Sequence, residues 1–440
     1  METYQRIKVG IDVGRSKVDF AILHPGGYPL EKHSSFSNSP DGIEQAKQLL
    51  IKTMEKHHFS GVDIAAEATG FYWLPLFMQL HQDADLARYA PRLTILNAAW
   101  VKWYKKGFPP DHKSDQIDPY YIADRLRTMV NPTWWYYDPH WLSLRFNTRL
   151  RFHLSQSLIR EKNHYHLFLF LAHSAYSQKK TRPFTDTFSH INEVLLHSPG
   201  LLENLQDLDV DDLATQLHEL SRHRLNDPMQ SAKQLQQALQ ESFSPPKELE
   251  PAIQSALDTL ITVIRHLKDQ IKIVEKRIAD LVENDYPEVA WLRSIPGIGP
   301  VFASGIAAEI GDLRRFSDRL RWDNKRNDYR RRSSREVEDA VAKFAGLWWP
   351  KNASGDFSAE ETPLSKRGNA YLRYFILQAA DRMRLFIPSY YDYYTKKFYQ
   401  STKHHHKRAL VLTGRKAVGL IVGLLHHHEF YRPEEVSPRT

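Results

Sequence analysis

Apolar and polar positions alternate around glycine turns at the start of the chain. RIKVGIDVG ends in such a turn, KVDFAILH follows, and GGYP leads into LEKHSSF, the pattern of consecutive antiparallel strands. Asp41 opens a helical stretch to about His57; GVDIAAEA then reads as a short buried strand, FYWLPLFMQL as a helix and LTILN as another strand. Strand–helix–strand alternation after a three-stranded meander predicts a mixed sheet with helices packed on it.

From about Asp138 the period changes from two to that of a helix. WLSLRFNTRLRFHLSQSLIREKNHYHLFLFL is a long helix with mixed faces, and residues 180–246 read as a helical insert. Ile253, Leu257, Leu260, Ile264, Leu267, Ile271, Val274, Ile278 and Leu281 follow a 4,3 spacing, an a/d seam of four heptads that needs a facing helix. That helix is either the 140–172 segment of the same chain or a second subunit, and the regularity of the seam favours some self-association. Pro287 stops the helix. The expected architecture is an α/β domain of RNase H-like order over 1–137, a helical region with insert and coiled coil over 138–288, and a mainly α C-terminal domain over 289–440.

The C-terminal domain opens with LRSIPGIGPVFASGIAAEIG, where Pro296, Gly297, Gly299 and Pro300 predict the tight turn of a helix-hairpin-helix-like element. There Gly297 and Gly299 would let backbone N–H groups approach a phosphate. Charge supports a polyanionic partner for this domain. The chain of 440 residues carries a net charge of +8, but residues from Val289 onward carry +11 and those before it −3. The densest cluster contains Arg330, Arg331 and Arg332 in succession, read as a solvated loop or a nucleic-acid contact. With no cysteine in the chain, disulfides, thiolate zinc sites and cysteine nucleophiles are excluded. The first residues lack the apolar run of a secretory leader, and the apolar stretch AVGLIVGLL falls short of the ~20 residues of a bilayer span. The expectation is a cytoplasmic protein, nucleoid-associated and without a membrane partner.

Four acids stand out by position. Asp12 lies in the middle of the first strand, Glu67 ends the GVDIAAEATG strand, and Asp115 and Asp118 stand three apart in KSDQIDPYYIADRL, where a helix would put them on one face. Carboxylates gathered from strand ends and a helix start need a counter-cation. A pair of Mg²⁺ ions, or Mn²⁺ in their place, supplies it and suits phosphodiester chemistry. Each acid alone also reads as a surface or helix-capping residue. Asp19 and Asp63, alternating with buried neighbours, and Asp124, on an exposed helix face with Arg127, are set aside. Ser354, in the small-residue loop NASGDF, is a candidate nucleophile, with Ser358 and Ser365 as substitutes; Lys366, Arg367 and Arg373 follow it and could clamp a phosphate. The triple histidines at 404–406 and 426–428 point in different directions on a helix, which favours surface or nucleic-acid contacts over metal binding. Tyrosines interleave with lysines in YYDYYTKKFYQ, a pattern that suits stacking on bases or core packing.

Taken in order, GIDVGRSKVDFAIL, AAEATGFY, KSDQIDPYYIADRL, the heptads, SIPGIGPVFASGIAAEIGDLRRF and FAGLWWP…ASG…SKRGNAYLR resemble the DEDD-type transposases of insertion-sequence family 110, the bridge-RNA-guided recombinases. The resemblance implies a RuvC-like domain whose metal-binding acidic tetrad is Asp12, Glu67, Asp115 and Asp118, and a transposase domain whose serine nucleophile is Ser354. It implies donor and target DNA as substrates, a non-coding guide RNA, a covalent phosphoserine intermediate, and a homodimer or tetramer built through the coiled coil. The chain departs from the family pattern in three places. The Ser354 loop runs GDFSAEE, DNKRNDYRRRSSR interrupts the short link between RRF and FAGL, and the 180–246 region is longer. Two other readings compete: a RuvC-like metal-dependent nuclease acting by hydrolysis on particular DNA structures, and a non-catalytic RNA/DNA-binding scaffold.

Overall fold

The opening alternation forms the expected sheet in the computed structural model, which describes residues 6–433 other than 69, 109–116, 130, 131, 133, 136, 137, 179, 244, 324, 351, 352, 355, 356 and 359–361. Strands β1 (Arg6–Val13), β2 (Lys17–Leu23) and β3 (Pro29–Ser37) are antiparallel neighbours. Strands β4 (Gly61–Glu67) and β5 (Arg92–Leu96) continue the sheet parallel to β1, giving the order β3-β2-β1-β4-β5. The helices of this first unit, Met1–Pro139, are α1 (Pro40–Lys56), α2 (Trp73–Gln82), α3 (Ala84–Ala87), α4 (Ala98–Lys105) and α5 (Asp118–Thr128). Ser39 caps α1 by accepting from the Gly42 N–H, with Pro40 in the first turn, where no N–H is needed. Ile11, Phe20, Ile64, Leu50 and Phe77 are fully buried in its core. A mixed sheet followed by a mainly helical remainder is consistent with an RNase H-like domain at the N-terminus.

The acids set aside in this unit are structural, and one lies elsewhere than expected. Asp63 is buried and accepts from the Nε of Arg6 at 2.8 Å, from Arg92 at 2.7 and 2.9 Å, and from Lys8. Asp19 pairs with Lys17 and His33. Asp124 is buried, not on an exposed face; it holds Arg127 at 2.7 Å and the Tyr104 hydroxyl.

The second unit, His140–Thr440, is built along two long helices, α6 (Pro139–Ala172) and α12 (Glu250–Asp285). They run antiparallel. Trp141 and Leu144 of α6 share a core with Val274 and Ile278 of α12, while Tyr165 and Leu169 share another with Ile253, Leu257, Ile261 and Ile264. Arg151 crosses between them to Glu275 at 2.8 Å. The facing helix that the heptads require is therefore inside the chain. The buried stripe includes Ile261, while Leu260 and Leu267 are only partly covered, a straight-helix drift away from a strict 3.5 repeat.

The insert folds as short helices α7 (Ser174–Ser177), α8 (His190–His197), α9 (Leu201–Gln206), α10 (Val210–Leu220) and α11 (Pro228–Gln240), which close the second of these cores. Beyond Pro287 come α13 (Pro287–Arg293), α14 (Pro300–Ile310), α15 (Arg314–Ser317), a hairpin of β6 (Leu320–Asp323) and β7 (Asp328–Arg331), and α16 (Ser334–Ala345). Two short paired strands, β8 (Ala353–Ser354) and β9 (Phe357–Ser358), precede α17 (Ala370–Phe386), α18 (Pro388–Tyr399) and α19 (His405–His427).

Helix α19 corrects the expectation of no membrane-length segment. By length and mean hydropathy (1.5) it could span a bilayer, but half of that window is buried inside the protein. Gly414 lets it approach Leu377 of α17, and Ala417, Val418 and Ile421 complete the core, so α19 serves as a packing element.

Candidate active site

Strand register sets the first half of the site. Parallel pairing puts Ile11 of β1 opposite Ala66 of β4, so the next residues, Asp12 and Glu67, stand side by side at the carboxyl edge and on one face. That edge is where open α/β sheets bind ligands. Asp12 is the penultimate residue of β1 and so lies at the strand's end, not mid-strand as expected. Gly10, two residues earlier, shares its face. A Cβ on Gly10 would lie 2.0 Å from the Pro119 carbonyl oxygen and 2.4 Å from the Ala123 nitrogen. Asp12 therefore faces α5, whose first residue is Asp118.

Electrostatics tie these groups together. Burial raises the Glu67 pKa above the ordinary carboxylate value; Lys105 opposes the rise, and the negative charges of Asp12 and Asp118 add to it. Lys105, in the last turn of α4, pairs with Asp118 at 2.8 Å. Three carboxylates and one ammonium leave a deficit of positive charge, and an all-oxygen donor set suits a hard divalent cation. Among the described residues no three acids, histidines or cysteines lie close enough to hold an ion, and Asp115 is outside the described residues. Lys105 went unnoticed in the sequence because WVKWYKKG shows no spacing that marks one of its lysines.

The serine region lies in the second unit. Ser354 is at the end of β8, its backbone opposite Phe357, and Ser358 is opposite Ala353. Ser365 donates its backbone N–H to the Trp348 carbonyl at 3.0 Å. After it the chain makes a tight turn. Lys366 has φ of +53°, and a Cβ on Gly368 would stand 2.4 Å from the Phe344 carbonyl oxygen. Lys366 and Arg367 are exposed. Arg373 departs from its expected role as a phosphate clamp: its guanidinium donates to the carbonyls of Ala345 and Lys366 at 3.1 and 3.0 Å and holds the turn.

Behind the turn is a residue that sequence reading missed. Glu309, on α14, is fully buried and accepts both guanidinium arms of Arg149, at 2.6 and 2.8 Å. It also accepts from the Asn369 side-chain amide at 2.6 Å, and Asn369 in turn caps α17 through the Leu372 N–H. An Asn before an apolar run is a helix-start signal that the sequence did offer.

The glycine turn and the arginine cluster both differ from expectation. Gly297 (φ +90°) packs against α17, its absent Cβ 2.9 Å from Arg382 and Phe386, so its glycine serves close packing and not phosphate approach. Gly299 is open and caps α14. The three arginines lie on or after a hairpin, not in a loop. Arg330 is held by Asp323 at 3.0 Å and Glu336 at 2.7 Å, Arg332 donates to the Phe316 carbonyl at 3.3 Å, and Arg331 is exposed. Burial lowers the pKa of Arg315 to about 10, with neighbouring Arg145 contributing, and lowers those of Arg319 and Arg332 below their ordinary value. All six histidines of the two runs are exposed, in keeping with surface positions; His405 bonds the Phe398 carbonyl, His406 the Tyr394 hydroxyl, and His428 stacks on Trp291. Tyr390 and Tyr394 are buried, whereas Tyr391 and Tyr399 are exposed.

Comparison with known proteins adds three findings. Residues 9–173 match the family model of DEDD transposases of the IS110 type. Residues 289–321 and 329–400 match the model described as the transposase IS116/IS110/IS902 family. A Pseudomonas aeruginosa protein described as a probable family 20 transposase is 31% identical over 125 residues, which cover 27% of this chain and 31% of that relative. The shared stretch thus spans less than a third of the relative's own length.

Proposed function

Since the chain belongs to the IS116/IS110/IS902 family of transposases, we propose that it is a DNA transposase that cuts and rejoins strands through a serine nucleophile and an acidic, divalent-metal site. The observation that carries this reading is the electrostatic coupling of Glu67 with Asp12 and Asp118 at one sheet edge, inside the matched segment. Asp12, Glu67, Asp115 and Asp118 would hold Mg²⁺ or Mn²⁺. Such an ion, when bound, offsets the charge of the scissile phosphate. Lys105 orients Asp118 through their ion pair, and the burial that raises the Glu67 pKa penalises an uncompensated negative charge there, which a bound cation would offset.

In the second unit the Ser354 hydroxyl attacks phosphorus and a deoxyribose oxygen leaves. The phosphoserine ester keeps the bond energy that rejoining needs, so no nucleotide cofactor is required. Lys366 and Arg367 face solvent beside this region and suit the phosphate, while Arg373 holds their turn. The exposed cap of α14 at Gly299, together with Arg331 and Arg332, suits the DNA backbone. A non-coding guide RNA would supply sequence recognition by base pairing, leaving the protein to read backbone and shape. Assembly into a dimer or tetramer through α12 must use side chains outside its buried seam, such as the exposed Val263 and Ile273.

The test is to incubate the full chain with RNA, junction DNA and Mg²⁺, denature it, and look for protein covalently attached to DNA. Adducts that disappear in Ser354→Ala are expected. Cleavage without adducts points to the hydrolytic nuclease, and binding without cleavage to a scaffold.

A further inference from the structure

The β6–β7 hairpin has two unlike faces. Cross-strand pairs Arg321–Arg330 and Asp323–Asp328 share one face. That face is anchored: Arg330 binds Asp323 and Glu336, and Arg321 reaches the same Glu336 at 2.7 Å. Glu336 also closes a capping box with Ser333 at the start of α16, so the ribbon is fixed to a helix by its arginines.

The other face carries the pairs Leu320–Arg331 and Trp322–Tyr329. Leu320 is 54% exposed, Trp322 45% and Tyr329 52%. The two rings meet edge to face, with centroids 5.1 Å apart. Leaving two large rings in water forgoes burial energy, which marks such a face as a contact surface. Around it, residues 319–332 hold seven arginines and lysines against two aspartates. Residues 322–328, at the tip of this ribbon, lie outside the segments that match the family model.

We propose that the Leu320/Trp322/Tyr329/Arg331 face of this hairpin docks an unpaired segment of DNA, its bases stacking on Trp322 and Tyr329 and its phosphates meeting Arg331 and the cations beside it. An acidic partner is required by charge. Exposed rings favour unpaired over duplex DNA, because base faces are accessible only when bases are unstacked. DNA is chosen over RNA because strand exchange by a transposase opens DNA. The inference rests on the proposed function for that reason.

The test measures binding of fluorescent single-stranded DNA, the matching duplex and the matching RNA strand by the full-length chain, by Trp322→Ala, by Tyr329→Ala and by Trp322→Phe. Each alanine variant is expected to lose roughly tenfold affinity for single-stranded DNA, in line with stacking energies, and to keep duplex affinity within about twofold; Trp322→Phe restores binding. Unchanged single-strand affinity overturns the proposal, as does an equal loss on duplex or a larger loss on RNA. A changed sedimentation coefficient with unchanged DNA affinity also overturns it and assigns the face to a second copy of the chain. If the parent chain binds duplex yet the alanine variants keep their single-strand affinity, only this inference fails. If it binds neither form of DNA, the transposase reading fails with it.

Discussion

The Cβ that Gly10 lacks would lie 2.4 Å from the backbone nitrogen of Ala123. This contact brings β1 against α5 and so sets how near Asp12 comes to Asp118. Gly10→Ala must push the helix away or strain the strand, at a cost of about 1–3 kcal/mol or more. Urea unfolding should show that loss. The variant should also lose DNA strand transfer beyond what its reduced stability explains.

Burial penalises the charged form of Glu67 and raises its pKa; Lys105 opposes the rise, and Asp12 and Asp118 add to it. Glu67→Gln removes that penalty. In chelator the variant should melt at a higher temperature than the parent chain, and added Mg²⁺ should no longer raise its Tm. A lower Tm in chelator would mean that Glu67 supports the fold through interactions other than those described.

Asp63 sits under three cations at the far end of the sheet from Asp12. Burial alone would raise its pKa, but hydrogen bonds and charge from Arg92, Lys8 and Arg6 outweigh it, so the folded pKa lies below the unfolded value of 3.8. A depressed carboxylate pKa contributes stability that is fully present above pH 3.8 and is lost as pH falls through the folded pKa. Acid titration of the unfolding free energy should show this decline, and Asp63→Asn should flatten it. At neutral pH the variant should cost about 3–5 kcal/mol, because buried cations lose their counter-charge.

Glu309 couples Arg149 of α6 to Asn369 at the turn beside the serine region. Glu309→Ala takes the carboxylate away from the Arg149 guanidinium and the Asn369 amide and should destabilise the second unit by about 3–5 kcal/mol. Glu309→Gln keeps an acceptor for Asn369. It should restore more DNA binding than stability if the residue's part in function is to orient the Lys366–Asn369 turn, as parallel binding and unfolding measurements would reveal.

What the sequence made legible followed from local rules. Period-two alternation located β1 and a short apolar run located β4, and their parallel register alone brings Asp12 beside Glu67. The heptads of α12 were equally plain, but a seam states only that a facing surface exists, and α6 supplies it within the chain. The site's other features depend on contacts between distant residues. Arg330 reads as a nucleic-acid contact until Glu336 is placed beside it, and Gly297 as a phosphate cradle until α17 fills the space its side chain would need. Arg373 looks like a clamp for phosphate because nothing in SKRGNAYLR shows that the Lys366 carbonyl turns back to meet it.

The proposal that Asp12, Glu67 and Asp118, with Asp115, hold a divalent ion is tested most directly by Mn²⁺ electron paramagnetic resonance on the full chain. The parent protein should remove the free-ion signal stoichiometrically, and each of Asp12→Asn, Glu67→Gln and Asp118→Asn should weaken that binding at least tenfold while Asp63→Asn leaves it unchanged. Undiminished Mn²⁺ binding in all three acidic-site variants would contradict the account.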